Sequence, residues 1–380
     1  VATPDEVTLD GYVDTTERQN FVLSGNLIGE FETGDIEHTV IFGAEYIDNS
    51  SENDRYNPVW TDSNSDKETF KINALPRNGS GTAANGNPTS VAFSDLNDKT
   101  ESDVEVYSFY IQDEIKLLEQ LTLVLGARFD SFDIEVKDKK NGGKEDQKDE
   151  EVTPRVGIVY KPQDNISLYA SYSETFVPSS GEQYASLGDE GLDPDEYSNL
   201  EAGVKWNFAQ GLSWTAAVFQ IEQDIVEEFG DTGVTNTNEI IGFETAISGR
   251  ITDKWYITAG YTYLEGELED EDDDIDGNDP RELPEHMFSL WNSYQVTDKL
   301  GLGLGMIYQG ESYINDSNDR ELPDFVRVDA AAYYQINDTL RLQVNIENLL
   351  DEDYYPSAHS SHQVTVGEPI NARFAIVGSF

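Results

Sequence analysis

Residues 340–355 read LRLQVNIENLLDEDYY. Leu340, Leu342, Val344 and Ile346 fall on one side of this stretch, and Arg341, Gln343, Asn345 and Glu347 on the other. A period of two is that of a β-strand, whose successive side chains point to opposite faces. One face here is hydrocarbon and the other is polar, so the strand separates two environments. After Glu347 the alternation stops and acidic residues and two tyrosines follow, as expected where a chain leaves an apolar layer through rings that suit an interface.

The same pattern recurs along the chain. Phe21, Leu23, Gly25 and Leu27 alternate with Val22, Ser24 and Asn26; Val40, Phe42, Ala44 and Tyr46 follow. Tyr107, Phe109 and Ile111 oppose Ser108, Tyr110 and Gln112, and Leu121 to Phe129, Ile166 to Tyr172, Leu212 to Val218 and Phe374 to Phe380 behave alike. About sixteen such segments occur, each near the ~10 residues a tilted membrane strand needs. No stretch of about 18 apolar residues exists to form a spanning helix. The connections alternate in length. Short turns (ETGDI, LLEQ, PQDN, FAQG, ITDK, VTDK, INDT) alternate with long polar stretches at 49–100, 137–151, 175–195, 265–284, 311–323 and 351–369. A soluble sandwich alternates too, but its loops have no reason to segregate by length. An outer-membrane barrel does, with short periplasmic turns and long external loops. The expected fold is therefore an all-β, antiparallel transmembrane barrel whose strands pair edge to edge, since hydrocarbon tolerates no unpaired backbone.

Composition agrees. The chain carries 24 Lys+Arg against 75 Asp+Glu, a formal charge of -51. A phosphate backbone needs a concentrated basic surface, so nucleic acid is excluded as a partner. Such acidity suits a solvated surface in a salt-rich habitat. There is no cysteine, which removes disulfides, Fe–S clusters and thiol catalysis. The 20 Tyr, 17 Phe and 5 Trp stand beside a hydrophobic total of only 37%, which suits a thin apolar band with aromatic girdles better than a globular core. The chain opens VATPDEV without a signal peptide, consistent with a mature form or a fragment.

With these strands placed, several pieces resemble the C-terminal part of a TonB-dependent receptor, most similar to the siderophore-receptor branch. YASYSETFVPSSGE (169–182) followed by LDPDEYSNLEAGVKW (192–206) resembles that family's strand, external loop and returning strand. LPEHMFSLWNSYQV (283–296) resembles its Pro/His-led strand, and NIENLLDEDYYPSA (345–358), GEP (367–369) and the terminal Phe380 resemble its C-terminal signature. Ile370 stands where the family usually has Arg. The resemblance implies an outer-membrane receptor of a Gram-negative bacterium, a monomer in outer-membrane lipid, that takes up a ferric siderophore with energy from TonB. Family barrels have 22 strands and a plugged lumen. About sixteen strands and no plug are visible here, so residues 1–380 are read as one barrel domain, a fragment lacking the plug and about six strands. Residues 7–13 would then belong to a mid-barrel strand. A plugless, cation-preferring pore and an acidic, calcium-binding surface β protein are the alternatives.

Candidate sites follow. Asp272, Asp274, Asp276 and Gly277 have the D-x-D-x-D-G spacing of a calcium loop, but Leu283 occupies the twelfth position and no helices flank it, so a solvated charge run is the default. His359 and His362 share the last long loop, as ordinary loop residues or as ligand contacts. Trp60, Phe176, Tyr184, Tyr313 and Tyr355, with Tyr56 and Tyr354, are either girdle residues or a stacking platform for a chelate ligand. Lumen-facing Arg128 and Arg341 either meet an anionic chelate or pair with neighbouring acids. A charge of -51 disfavours a bare anion, so the expected ligand is neutral, cationic or locally neutralised by Arg. No phosphate loop, G-x-S-x-G elbow or H-E-x-x-H motif occurs, and the chain reads as no enzyme, with no resident cofactor beyond a conceivable calcium ion.

Overall fold

The computed structural model describes residues 5–177, 194–209, 211–229, 232–269, 275–360 and 363–378, with backbone only at 226–236 and 360. Seven short strands stand outside the main meander in pairs or as an appendage. β1 (Glu6–Leu9) pairs with β4 (Glu68–Lys71), and β5 (Ser80–Thr82) adds to the start of β6. β16 (Ser312–Tyr313) pairs with β17 (Glu321–Leu322), and β20 (Ser357–Ser360) with β21 (Gln363–Thr365). The meander itself runs β2 (Val13–Thr33), β3 (Ile36–Trp60), β6 (Pro88–Leu118), β7 (Leu121–Asp138), β8 (Gly143–Gln163), β9 (Ile166–Val177), β10 (Asp195–Ala209) and β11 (Leu212–Phe229). It continues through β12 (Thr232–Thr252), β13 (Trp255–Glu269), β14 (His286–Gln295), β15 (Leu300–Gln309), β18 (Phe325–Asn337), β19 (Leu340–Glu347) and β22 (Asn371–Gly378). Every neighbour is antiparallel and sequential, the up-and-down order of a barrel wall.

β19 spans Leu340–Glu347 and pairs with β18 on one side and β22 on the other. Its Leu342 faces Tyr334 and Ile376, and Gln343 faces Tyr333 and Ala375, so alternation continues across strands. On the outward face Phe42, Phe109, Ile111, Leu200, Val218, Ile241 and Leu304 are all exposed. A monomer in water does not sustain an apolar surface of this extent, whereas a bilayer requires it. Tyr46 and Tyr107 sit at its upper rim with ring centroids 5.0 Å apart, as a girdle. Among the described residues, β2 and β22 are the ends of the meander and do not pair with one another. In hydrocarbon both edges need a partner.

Three expectations are corrected. The stretches 49–100 and 137–151 are largely strand rather than loop: β3 runs on for 25 residues and β6 for 31, and only 139–142 turns between β7 and β8. These extensions carry charge on both faces, which hides their period, but across strands the charges meet. Lys99 Nζ lies 2.7 Å from Asp54, Arg55 Nε 2.8 Å from Asp14, and Lys137 Nζ 3.1 Å from Glu101. Their inward side buries Val104, Val106, Ile134 and Val136 against Ile47 and Phe132. Strands therefore reach well beyond the expected ~10 residues, forming a tower above the bilayer. Residues 7–9 lie outside the wall, in the β1–β4 ribbon, and the meander opens only at Val13.

Candidate functional site

At the end of the wall opposite the short turns, three long connections pack together. Glu282 N donates to Tyr313 O (2.7 Å), Asn278 Nδ2 to Asp316 O (2.8 Å), and Asn318 Nδ2 to Asp279 O (2.8 Å). Ile314, Leu322 and Ala358 form a small buried core between the last two connections. The signature at 348–369 is wound around Asn348, which is 1% exposed in left-handed backbone (φ 52°). Its Nδ2 donates to Glu352 O (2.8 Å) and Glu368 O (3.1 Å), and its Oδ1 accepts from Glu352 N (2.8 Å). Tyr354 is buried against Phe325 (4.7 Å), and Arg327 Nη1 donates to its hydroxyl (3.2 Å). The tyrosine is thus part of the cap's frame.

Across the mouth, β8 and β9 part company above the Arg155–Ser173 pair, where their register ends. The gap is a cleft of about 210 Å³ lined by Tyr172, Phe176 and Tyr197 with Glu151, Glu174, Glu196, Glu222 and Asp224. Phe176 packs edge-on against Phe132 (5.4 Å). Tyr172 donates to Glu174 (2.5 Å), and Gln223 Nε2 to the Tyr197 hydroxyl (2.8 Å). No Lys or Arg lines it, so it presents flat rings and acceptors, which suit donor-rich or cationic groups.

Inside the wall the charges are mixed. Arg128 binds Asp130 (2.8 Å) and Glu45 (3.2 Å), so it is engaged by acids rather than free. Arg341 lies over the Tyr333 ring (5.6 Å). Tyr110 lies across Gly43, where a Cβ would fall 2.1 Å from the ring; only glycine admits this approach. Outside the membrane band, at the tower's tip, Lys137 and Lys144 hold the Glu135 carboxyl down to about 2, and Arg55 holds that of Asp14 below its ordinary value.

The structure separates the residues singled out from sequence. Trp60, the last residue of β3, is 5% exposed and edge-on to Phe70 (5.2 Å) of the 61–87 connection. Phe176 lines the cleft, Tyr313 is half-buried in the cap, and Tyr355 and His359 are exposed beside it. Asp276 is exposed in a turn, and no group of three potential metal ligands occurs among the described residues. Tyr184, His362, Asp272 and Asp274 lie outside the described residues. Sequence reasoning missed Tyr172, Tyr197, Tyr169 and Arg327. The quoted stretches at 166–173 and 192–206 hold the three tyrosines, but which neighbour each residue faces depends on register.

Residues 3–349 match the family described as TonB dependent receptor-like, beta-barrel. The chain is 31% identical to the probable TonB-dependent siderophore receptor PiuA of Acinetobacter baumannii, over 95% of this chain and 52% of that protein. It is 28% identical to the ferrichrome outer membrane transporter/phage receptor of Escherichia coli, over 92% and 47% respectively. The crystal structure of PiuA superposes with a TM-score of 0.84 at 29% identity, covering 96% of this chain and 56% of that one. The ferripyoverdine receptor of Pseudomonas aeruginosa, bound to ferripyoverdine, gives 0.79 at 25% identity, over 100% and 51%. The chain spans about half the length of the relatives it matches. With its up-and-down wall, short turns on one side and packed loops on the other, the chain belongs to the TonB-dependent receptor β-barrel family of the outer membrane.

Proposed function

We propose that this chain forms wall and mouth of an outer-membrane receptor that takes up a ferric siderophore with energy transmitted from TonB. The observation that carries this reading is the one-sided mouth: the packed long connections and the cleft of Tyr172, Phe176 and Tyr197 both lie at the end opposite the short turns. A chelate is first met by Tyr172, Phe176 and Tyr197 in the cleft, with Tyr313, Tyr355 and His359 on the opposite rim. Rings give a chelate contact area at little conformational cost, and the surrounding carboxylates orient its donors. Contact with TonB runs through a domain seated in the lumen, and the barrel acts as a monomer. Similarity to siderophore receptors supports this choice over a passive pore, and no residue constellation suggests an enzyme.

The test is radioactive iron uptake by iron-starved cells that depend on this receptor, offered a panel of ferric siderophores with and without a working TonB. Saturable uptake of at least one chelate that disappears without TonB is expected. Uptake of all chelates at equal rates, unchanged without TonB, would establish a passive pore instead.

A further inference from the structure

On the outward face of β2, β3, β6 and β7, the positions between the short turns and the Tyr46–Tyr107 rim carry one acid and one base among the described residues, Asp113 and His38. Their neighbours on that face are apolar. Asp113 stands between Val40 and Leu125 in its row, with Ile111 and Ile115 above and below it, and His38 stands between Phe31 and Ile115. Both belong to strands that have a partner on each side, so this wall sets their surroundings, and the lumen lies on the other face. Charge is costly on a lipid-facing surface, and an ionisable residue within a membrane segment marks a function by default.

The register brings the two together. Asp113 is paired with Val40 and His38 with Ile115, so the acid lies one outward step deeper, and its Oδ2 reaches back diagonally to His38 Nδ1 at 2.8 Å. The Phe31 ring lies parallel to the imidazole, with centroids 4.8 Å apart and planes 5° from each other. Ring and carboxylate fix the imidazole's plane and commit its Nδ1–H. Its Nε2 has no hydrogen bond to a described residue, and the side chain keeps 16% of its surface exposed. Asp113 Oδ1 is buried without a donor, so the wall does not fully satisfy the acid. Replacing such a pair by apolar residues is commonly neutral or stabilising, so the pair does little for the wall itself. Depth gives it another use. Phe31 and His38 flank the turn at Gly34 and Asp35, at the level where Tyr160, Trp206, Trp255 and Tyr334 are exposed close to their own short turns. That level is the periplasmic interface, where lipid headgroups begin.

We propose that His38 binds the phosphate of a phospholipid headgroup in the periplasmic leaflet, with Asp113 and Phe31 as positioning residues. In the charged pair Nδ1–H serves Asp113, and Nε2–H is left for an acceptor that only the bilayer can bring. At headgroup depth the anionic acceptor is phosphate, and charge-assisted hydrogen bonds favour it over the neutral ester carbonyls beside it. The site lies on the opposite face of the sheet from the lumen and does not depend on the uptake reading, since a passive pore would carry it equally.

The complete receptor, isotopically labelled at its imidazole nitrogens, is placed in vesicles of phosphatidylethanolamine and phosphatidylglycerol, and in vesicles of a phosphate-free galactolipid. Nitrogen–phosphorus dipolar dephasing in solid-state NMR reads the contact directly. A dephased imidazole signal is expected in phospholipid and is lost in His38→Gln. Asp113→Leu, which frees the ring, should reduce it severalfold, while Asp113→Asn, which still accepts Nδ1–H, restores most of it. In galactolipid with inorganic phosphate in the buffer, no dephasing is expected. The double variant His38→Leu/Asp113→Leu should keep the parent's heat-modifiable electrophoretic mobility and unfold at an equal or higher urea concentration, because the pair serves the lipid rather than the wall. Dephasing unchanged in His38→Gln would overturn the proposal, and so would equal dephasing by inorganic phosphate, which would make this a site for free anions. A double variant that unfolds well below the parent would mean that the pair holds the wall, contrary to the proposal. No dephasing in the parent would also overturn it, and dimers that separate in His38→Gln would then assign the pair to a contact between copies of this chain.

Discussion

The tower on β3, β6, β7 and β8 and the cap at 348–370 both stand above the bilayer, yet they are held in opposite ways. The tower extends the strand ladder and decorates it with exposed ion pairs, such as Lys137 with Glu101 and Asp103 and Lys144 with Glu135. The cap has almost no ladder. It is fixed by side chains bonded to backbone, above all Asn348, and by Tyr354 wedged between Phe325 and Arg327. Exposed ion pairs contribute little each and answer to pH and salt. Buried amide bonds answer to neither, and fail all at once when their centre is removed. An acidic protein can therefore carry one external region that senses its medium and another that does not.

Asn348→Ala should break the cap hardest. It strands three backbone groups at a buried position, at roughly 1–3 kcal/mol each if water does not replace the bonds. Loss of hydrogen-exchange protection across 348–370, with the tower unaffected, is the expected result. Protection kept in the cap would show that Asn348 is not its centre.

Below the cap, β19 offers a sharper contrast within one strand. Leu342→Arg on the outward face should cost about 2–4 kcal/mol in lipid, whereas Gln343→Arg, facing the lumen, should be nearly neutral. Reversible unfolding in bilayers measures both. Equal costs would remove the distinction between faces.

The tower should show the smallest effect and the only strong pH dependence. The Glu135 carboxyl falls from an ordinary 4.5 to about 2 beside Lys137 and Lys144, and those of Glu101 and Glu150 are lowered by Lys139 and Lys148. Lowered carboxyls stabilise the fold fully above about pH 4.5, and that contribution is lost as pH falls through about 2. Protection factors near 135–148, with the intrinsic pH dependence of amide exchange divided out, should fall across this window and with added salt, while those around Asn348 stay flat. A tower indifferent to both would mean that its ladder alone holds it.

The membrane part of the fold was legible because its signal is local. In Leu340–Glu347, hydrophobicity alone marks the strand and both its faces, and the ETGDI turn falls where β2 returns as β3. The tower was not legible, because alternating charge looks like loop until partners such as Asp54 and Lys99 are seen across strands 45 residues apart. Aromatics divided for the same reason: nothing within the sequence distinguishes Trp60, buried against Phe70, from Phe176, which lines the cleft.

Beneath these contrasts lies one claim, that a single sheet parts lipid from lumen, residue by alternate residue. The chain has no cysteine, so single cysteines placed at each position from 340 to 347 report without background. In outer membranes, those at 342, 344 and 346 should resist a water-soluble maleimide, and once labelled with a fluorophore should be quenched by lipid-borne nitroxide. Those at 341, 343 and 345 should react readily and escape quenching. A uniform response along the strand, or one with the two sets exchanged, would contradict the barrel wall described here.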